Sequence, residues 1–156
     1  MKKKIQRLLE EGHLLETKGE YEAALVRLQR VIGISPRNCY GWYNLGIVQH
    51  RMGCHEDALE AFRKAAGFDP SFGDAWCNIG YALGELDRWD EAEPAFERAL
   101  TLSPCNPRVW LGLGNVAFSR KNYRMARRCY GEALRLKPGY RFALDMLGEL
   151  EKEANK

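Results

Sequence analysis

The chain has 156 residues, with 24 Lys plus Arg against 21 Asp plus Glu, for a net charge of +3. A compact domain of this length buries roughly 70% of its unfolded surface and needs no covalent staples, and so small a net charge does not imply nucleic acid or an anionic membrane as a general partner. Five cysteines, at 39, 54, 77, 105 and 129, are odd in number and contain no Cys-x-x-Cys pair, a pattern that reads as a reducing compartment.

The start, Met1-Lys2-Lys3-Lys4, has the basic edge of a signal peptide. Ile5 to Thr17, however, carries Arg7, Glu10, Glu11, His13 and Glu16 where an apolar stretch would be needed. No segment approaches the run of about 18 apolar residues that spans a membrane. The expectation is a soluble, cytoplasmic protein with no membrane partner.

From there a period of 34 residues organises the chain. It connects Pro36, Pro70, Pro104 and Pro138; Gly12, Gly46, Gly80, Gly114 and Gly148; Ala24, Ala58, Ala92 and Ala126; and Trp42, Trp76 and Trp110. The units run over 5–38, 39–72, 73–106 and 107–140, and 141–153 begins a fifth that stops after one helix. Within a unit the apolar residues fall at helical spacing, as in Trp42, Leu45 and Gly46 and then Ala58, Leu59, Phe62, Ala65 and Ala66. Each unit therefore reads as two amphipathic helices, with turns near Gly53, Asp87 and Asn122, and the prolines end the second helices. Mid-helix Gly46, Gly80 and Gly114 each cost about 0.5–1 kcal/mol against alanine. The offset is expected from close approach of the paired helix at Ala58, Ala92 or Ala126. In the third unit Pro94 lies about one turn inside a second helix, should remove the bond to the Asp90 carbonyl, and predicts a local kink.

The period and its residues resemble the tetratricopeptide repeat. Trp42-x-x-Leu45-Gly46, Trp76-x-x-Ile79-Gly80 and Trp110-x-x-Leu113-Gly114 each open a unit; an aromatic at Phe62, Phe96 or Tyr130 and a second alanine at Ala65, Ala99 or Ala133 follow. The first unit departs, with Leu8 for tryptophan, Glu11 for leucine, Leu28 for the aromatic and Val31 for alanine, which suits a terminal repeat. The resemblance covers residues 5–150. It implies an all-α, right-handed superhelical solenoid of four helix-turn-helix repeats plus a C-terminal capping helix, in one domain spanning 1–156. The closing helix is expected to pack through Ala143, Leu144, Leu147 and Leu150, with Phe142 and Met146 off that stripe.

The resemblance also implies a function: a non-catalytic scaffold or adaptor whose first helices line a concave groove for a peptide or protein segment. Carried over by position, the groove residues are Tyr40, Tyr43, Asn44, Ile47, His50 and Arg51 in the second unit. Asp74, Cys77, Asn78 and Tyr81 follow in the third, and Arg108, Leu111 and Asn115 in the fourth. Carboxamides among them suit a ligand's main chain and aromatic faces its side chains. A full carboxylate clamp of the kind that grips chaperone C-termini is rejected, since in the better register only Asn78 and Arg108 match it.

Charge separates between neighbouring units. Seven carboxylates against Arg88 and Arg98 leave the third at −5, whereas eight basic residues against Glu132 leave the fourth at +7. This reads either as pairing between repeats or as a basic docking patch, and keeps open an alternative: a structural or self-associating subunit that uses its charged outer faces or C-terminal edge. Nucleic acid is not expected. His50, Cys54 and His55 lack further ligands at suitable spacing; no phosphate loop or His-Glu-x-x-His is present. No metal, cofactor or catalytic residue is expected.

Overall fold

A computed structural model describes residues 1–154. The described residues form helices joined by short turns: α1 (Lys2–Thr17), α2 (Tyr21–Ile34), α3 (Cys39–Arg51), α4 (His55–Phe68), α5 (Gly73–Glu85), α6 (Trp89–Leu102), α7 (Pro107–Ser119), α8 (Tyr123–Leu136) and α9 (Arg141–Ala154). No strand occurs among the described residues. The chain divides into two compact units, one ending at Asn78 and the other beginning at Ile79.

In the first unit α1 pairs with α2 and α3 with α4, and α1 and α2 both pack on α3. Ala24, Leu28, Leu45, Val48 and Ala61 form the buried centre, flanked by Leu9, Leu25, Ile32 and Trp42. In the second unit α7 packs on α6, α8 and α9. Its centre contains Leu111, Ala126, Tyr130, Ala133, Ala143 and Leu150. The alternation expected from the 34-residue period is thus realised as helical hairpins, each burying faces that one pair of helices leaves open.

The turns repeat at atomic detail. Gly19, Gly53, Asp87 and Lys121, spaced by the same 34 residues, have φ of 78°, 79°, 58° and 58°. Just after them the N–H groups of Glu20, Cys54, Arg88 and Asn122 donate to the carbonyls of Leu15, Gln49, Leu83 and Ala117, each at 2.9 Å. A left-handed residue followed by a bond reaching back five residues satisfies carbonyls left open at a helix end. The fourth left-handed residue is therefore Lys121 and not its neighbour Asn122. Asn122 instead caps α8, its side chain accepting from the Met125 N–H at 3.2 Å.

A second recurring device joins hairpin to hairpin. The indole N–H of Trp42 donates to the Pro36 carbonyl at 2.8 Å, that of Trp76 to Pro70 at 3.1 Å and that of Trp110 to Pro104 at 3.1 Å. Each proline ends one helix pair, and the tryptophan six residues later ties that linker to the next helix.

The mid-helix glycines are used differently from the expectation. A β-carbon on Gly46 would stand 2.6 Å from the Phe62 ring and one on Gly80 2.6 Å from the Phe96 ring; on Gly114 it would collide with Tyr130. The nearest group is thus the aromatic one turn beyond Ala58, Ala92 or Ala126, not the alanine itself. α6 continues through Pro94, which is exposed, so the Asp90 carbonyl that loses its partner lies on an exposed residue.

α9 also corrects the sequence reading. Ala143 and Leu150 are buried and Leu147 packs against the same core, but Leu144 is 50% exposed, and Met146 takes part in the packing. Phe142 is 67% exposed, with its ring edge-on to Tyr140 at 5.9 Å. No helix among the described residues is long and apolar enough to cross a membrane.

Candidate functional site

In the first unit α3 presents six of the groove positions. Tyr40, Asn44, Ile47 and Arg51 follow one another at steps of four, three and four and so share one face of the helix. Tyr40 is exposed and its ring lies 5.3 Å from that of Phe72; Tyr43 is half-buried, 4.7 Å from Phe72 and 5.9 Å from Phe62. Phe72, in the linker between α4 and α5, thereby anchors an aromatic cluster that groove positions alone did not identify. Its place at the end of the 39–72 unit was the available signal.

Asn44, one turn after Tyr40, is half-buried, and its carboxamide has no hydrogen-bond partner among the described residues. Six residues on, the half-buried His50 ring packs edge-on to His55 at 5.0 Å, with the two Nδ1 atoms 3.3 Å apart. One of those nitrogens donates and the other accepts when both rings are neutral. Arg51 is exposed and pairs with Glu16 at 3.2 Å. Asp74 is exposed on the first turn of α5, whereas Cys77 and Asn78 are buried, at 0% and 4% exposure.

In the second unit Tyr81 donates its hydroxyl to the Arg108 carbonyl at 2.6 Å, and the Arg108 guanidinium lies 5.2 Å from the Tyr81 ring centroid. The Tyr81 ring meets Phe96 edge-on at 5.1 Å. Asn115 is half-buried and its Oδ1 accepts from the Tyr130 hydroxyl at 3.1 Å. Leu111 is 5% exposed and belongs to the core. Tyr81, Arg108 and Asn115 thus have internal partners, and Leu111, Cys77 and Asn78 have little surface to offer.

A cleft of about 380 Å³ lies in the second unit between α6, α7 and α8, at positions that groove spacing does not reach. Leu100, Trp110, Leu113 and Val116 line its apolar part, and Glu97 and Arg128 its charged part. On its wall Arg120 bonds both Asp90, at 2.8 Å, and Glu93, itself a lining residue, at 2.7 Å. Part of the opposed charge of the last two repeats is therefore spent on pairing. Among the described residues no group of three or more His, Cys, Asp or Glu side chains is placed to hold a metal ion.

Models of the tetratricopeptide repeat match residues 39–72, 73–104 and 107–140, and a second model of the TPR repeat matches 12–53. The chain belongs to the tetratricopeptide repeat family. Tetratricopeptide repeats are commonly protein–protein interaction modules and typically non-catalytic scaffolds. No curated protein sequence matches the chain.

Among solved structures, PilF of Pseudomonas aeruginosa is similar, with 27% identity and a TM-score of 0.87 over 99% of this chain and 71% of that one. MamA is similar as well, with 24% identity and a TM-score of 0.83 over 99% of this chain and 85% of that one. MamA from Desulfovibrio magneticus RS-1 gives 19% identity and a TM-score of 0.84, covering 97% and 86%. At the identities of the two MamA structures the likeness is one of fold.

Proposed function

We propose that this tetratricopeptide repeat protein is a non-catalytic adaptor that captures a peptide segment on the first helices of its hairpins, with α3 as the main element. The observation that carries this reading is Asn44. Its carboxamide has no hydrogen-bond partner among the described residues, and it lies on the same face of α3 as Tyr40, whose ring neighbours that of Phe72. A carboxamide can give and accept a hydrogen bond with an extended main chain, while neighbouring aromatic faces bury side chains at low entropic cost. Ile47, one turn further, extends the apolar surface.

A phage-displayed library of random dodecamers panned against the full chain supplies the probe, and isothermal titration of the selected peptide supplies the affinity. Asn44→Ala and Tyr40→Ala should each weaken binding by about tenfold, the equivalent of about 1.4 kcal/mol. Arg120→Ala, on the second unit, should leave it unchanged. Selected peptides indifferent to both α3 substitutions would defeat the reading. Asn78→Ala is a poorer probe, because Asn78 is buried and its loss would disturb packing.

A second reading, docking through the charged outer face, is favoured by the cleft beside Arg128 and Glu97. Under it, selected peptides would bind in a salt-dependent way and lose affinity on Arg128→Ala while ignoring Asn44→Ala.

A further inference from the structure

The cleft between α6, α7 and α8 lies within the second unit, and each residue on its wall has a counterpart in the first unit two repeat periods earlier. The apolar floor is the same in both registers: Leu100, Trp110, Leu113 and Val116 correspond to Ile32, Trp42, Leu45 and Val48. The charged positions differ. Glu97 stands in the register of Gln29, and Arg128 in that of Glu60. In the first unit the chain covers the indole itself, since Lys64 Nζ lies 4.3 Å from the Trp42 ring and pairs with Glu60 at 2.6 Å. The register of Lys64 holds Glu132 in the second unit, and Glu132 pairs with Arg135 at 2.8 Å. Among the described residues no cation lies over the Trp110 ring.

Charge narrows what the cleft accepts. Of the charged side chains on its wall, Glu93 and Arg120 bond each other, and Arg120 also holds Asp90. Glu97 and Arg128 are exposed, and neither makes an ion pair among the described residues. The wall therefore offers one open carboxylate and one open guanidinium beside an apolar floor. Its volume of about 380 Å³ falls in the range of small-molecule sites, about 300–1,000 Å³. A ligand with a single charge would answer one of these groups and crowd the other without pairing it. A ligand with both charges answers both, its ammonium at Glu97 and the indole face and its carboxylate at Arg128. An apolar body would cover the floor.

We propose that this cleft binds a small zwitterion with an apolar body, of the class of free amino acids with a bulky apolar side chain. The site lies in the second unit, apart from the α3 surface, and stands without it.

The probe is L-phenylalanine, titrated into the isotope-labelled full chain and followed by nuclear magnetic resonance. It should move the Trp110 indole signal and the amides around Glu97 and Arg128 in a saturable way. Deleting either charge of the probe, as in 3-phenylpropanoate or phenethylamine, should weaken binding by about fivefold, the scale of one exposed ion pair. Glu97→Gln should weaken phenylalanine by a similar factor and leave 3-phenylpropanoate unchanged; Arg128→Gln should weaken phenylalanine and leave phenethylamine unchanged. Both side chains are exposed, so neither substitution disturbs the core. Asn44→Ala should have no effect, which separates this site from the α3 surface. A phenylalanine that moves no signal, or charge-deleted analogues that bind as tightly as it does, overturns the proposal. So does N-acetylphenylalanine amide binding as well as the free amino acid, since the cleft would then hold a side chain of a protein partner.

Discussion

The ring of Phe62 lies so close to Gly46 that a β-carbon there would stand 2.6 Å from its Cε1. Phe62 is 1% exposed, so the ring has no solvent to move into. Gly46→Ala gains about 0.5–1 kcal/mol of helix propensity and incurs an overpacking cost of about 1–3 kcal/mol. A net loss of about 1–2 kcal/mol is expected from urea unfolding. Gly148→Ala provides the counterpart: nothing lies within 4 Å, so only the propensity term acts and stability should rise by about 0.5–1 kcal/mol. Equal responses at the two sites would show that the ring is not what holds glycine at position 46.

Trp42 joins a linker to a helix through its bond to the Pro36 carbonyl, and its ring also lies 4.3 Å from Lys64 Nζ. Trp42→Phe keeps an aromatic face but removes the donor. The expected cost is about 0.5–1.5 kcal/mol, the net worth of one hydrogen bond. The same change at Trp110 should cost a similar amount, and the two should add, since they share no partner. Unfolding midpoints that do not move would mean that water replaces the indole at no loss.

Much of this architecture is legible in the sequence because the ladder of prolines, glycines, alanines and aromatics marks helix ends and buried faces at once. Periodicity does not resolve neighbours one turn apart. Ala58 and Phe62 share a helix face, and only packing decides which of them reaches Gly46. It also assigns a stripe by angle alone, which is why Leu144 reads as core: its register places it where a second helix would lie, and among the described residues it stays half exposed. The α3 site was partly legible. Tyr40, Tyr43 and Asn44 follow from position in the repeat, but burial of Cys77, Asn78 and Leu111 and the contribution of Phe72 depend on local packing that spacing does not encode.

Lys121 holds φ at 58° where the first two hairpins use Gly19 and Gly53. A left-handed conformation costs a residue with a β-carbon about 1–2 kcal/mol, and the greater freedom of glycine in the unfolded chain returns about 0.4–1 kcal/mol of that. Lys121→Gly should therefore stabilise the chain by about 0.5–1 kcal/mol. Asp87 has the same φ, but its Oδ1 accepts from the Trp89 indole N–H at 2.6 Å. Asp87→Gly loses this bond and should come out near neutral. Urea titration of the two variants checks the ordering, and a larger gain at 87 than at 121 would contradict it.

Tyr130 is fully buried and donates its hydroxyl to Asn115, and burial pushes its phenol well above the ordinary value of 10.0. The folded state thus binds this proton more tightly than the unfolded state. The resulting stability is fully present below about pH 10 and is lost as pH rises above it, because the unfolded chain ionises first. Tyr130→Phe, which installs the residue found at 62 and 96, should cost about 0.5–1.5 kcal/mol at neutral pH for the lost hydrogen bond. It should also flatten part of the alkaline decline, since one proton-linked group is gone. Unfolding free energies measured from pH 7 to 11 on both chains test the sign: parallel curves would show that this phenol does not contribute to alkaline unfolding.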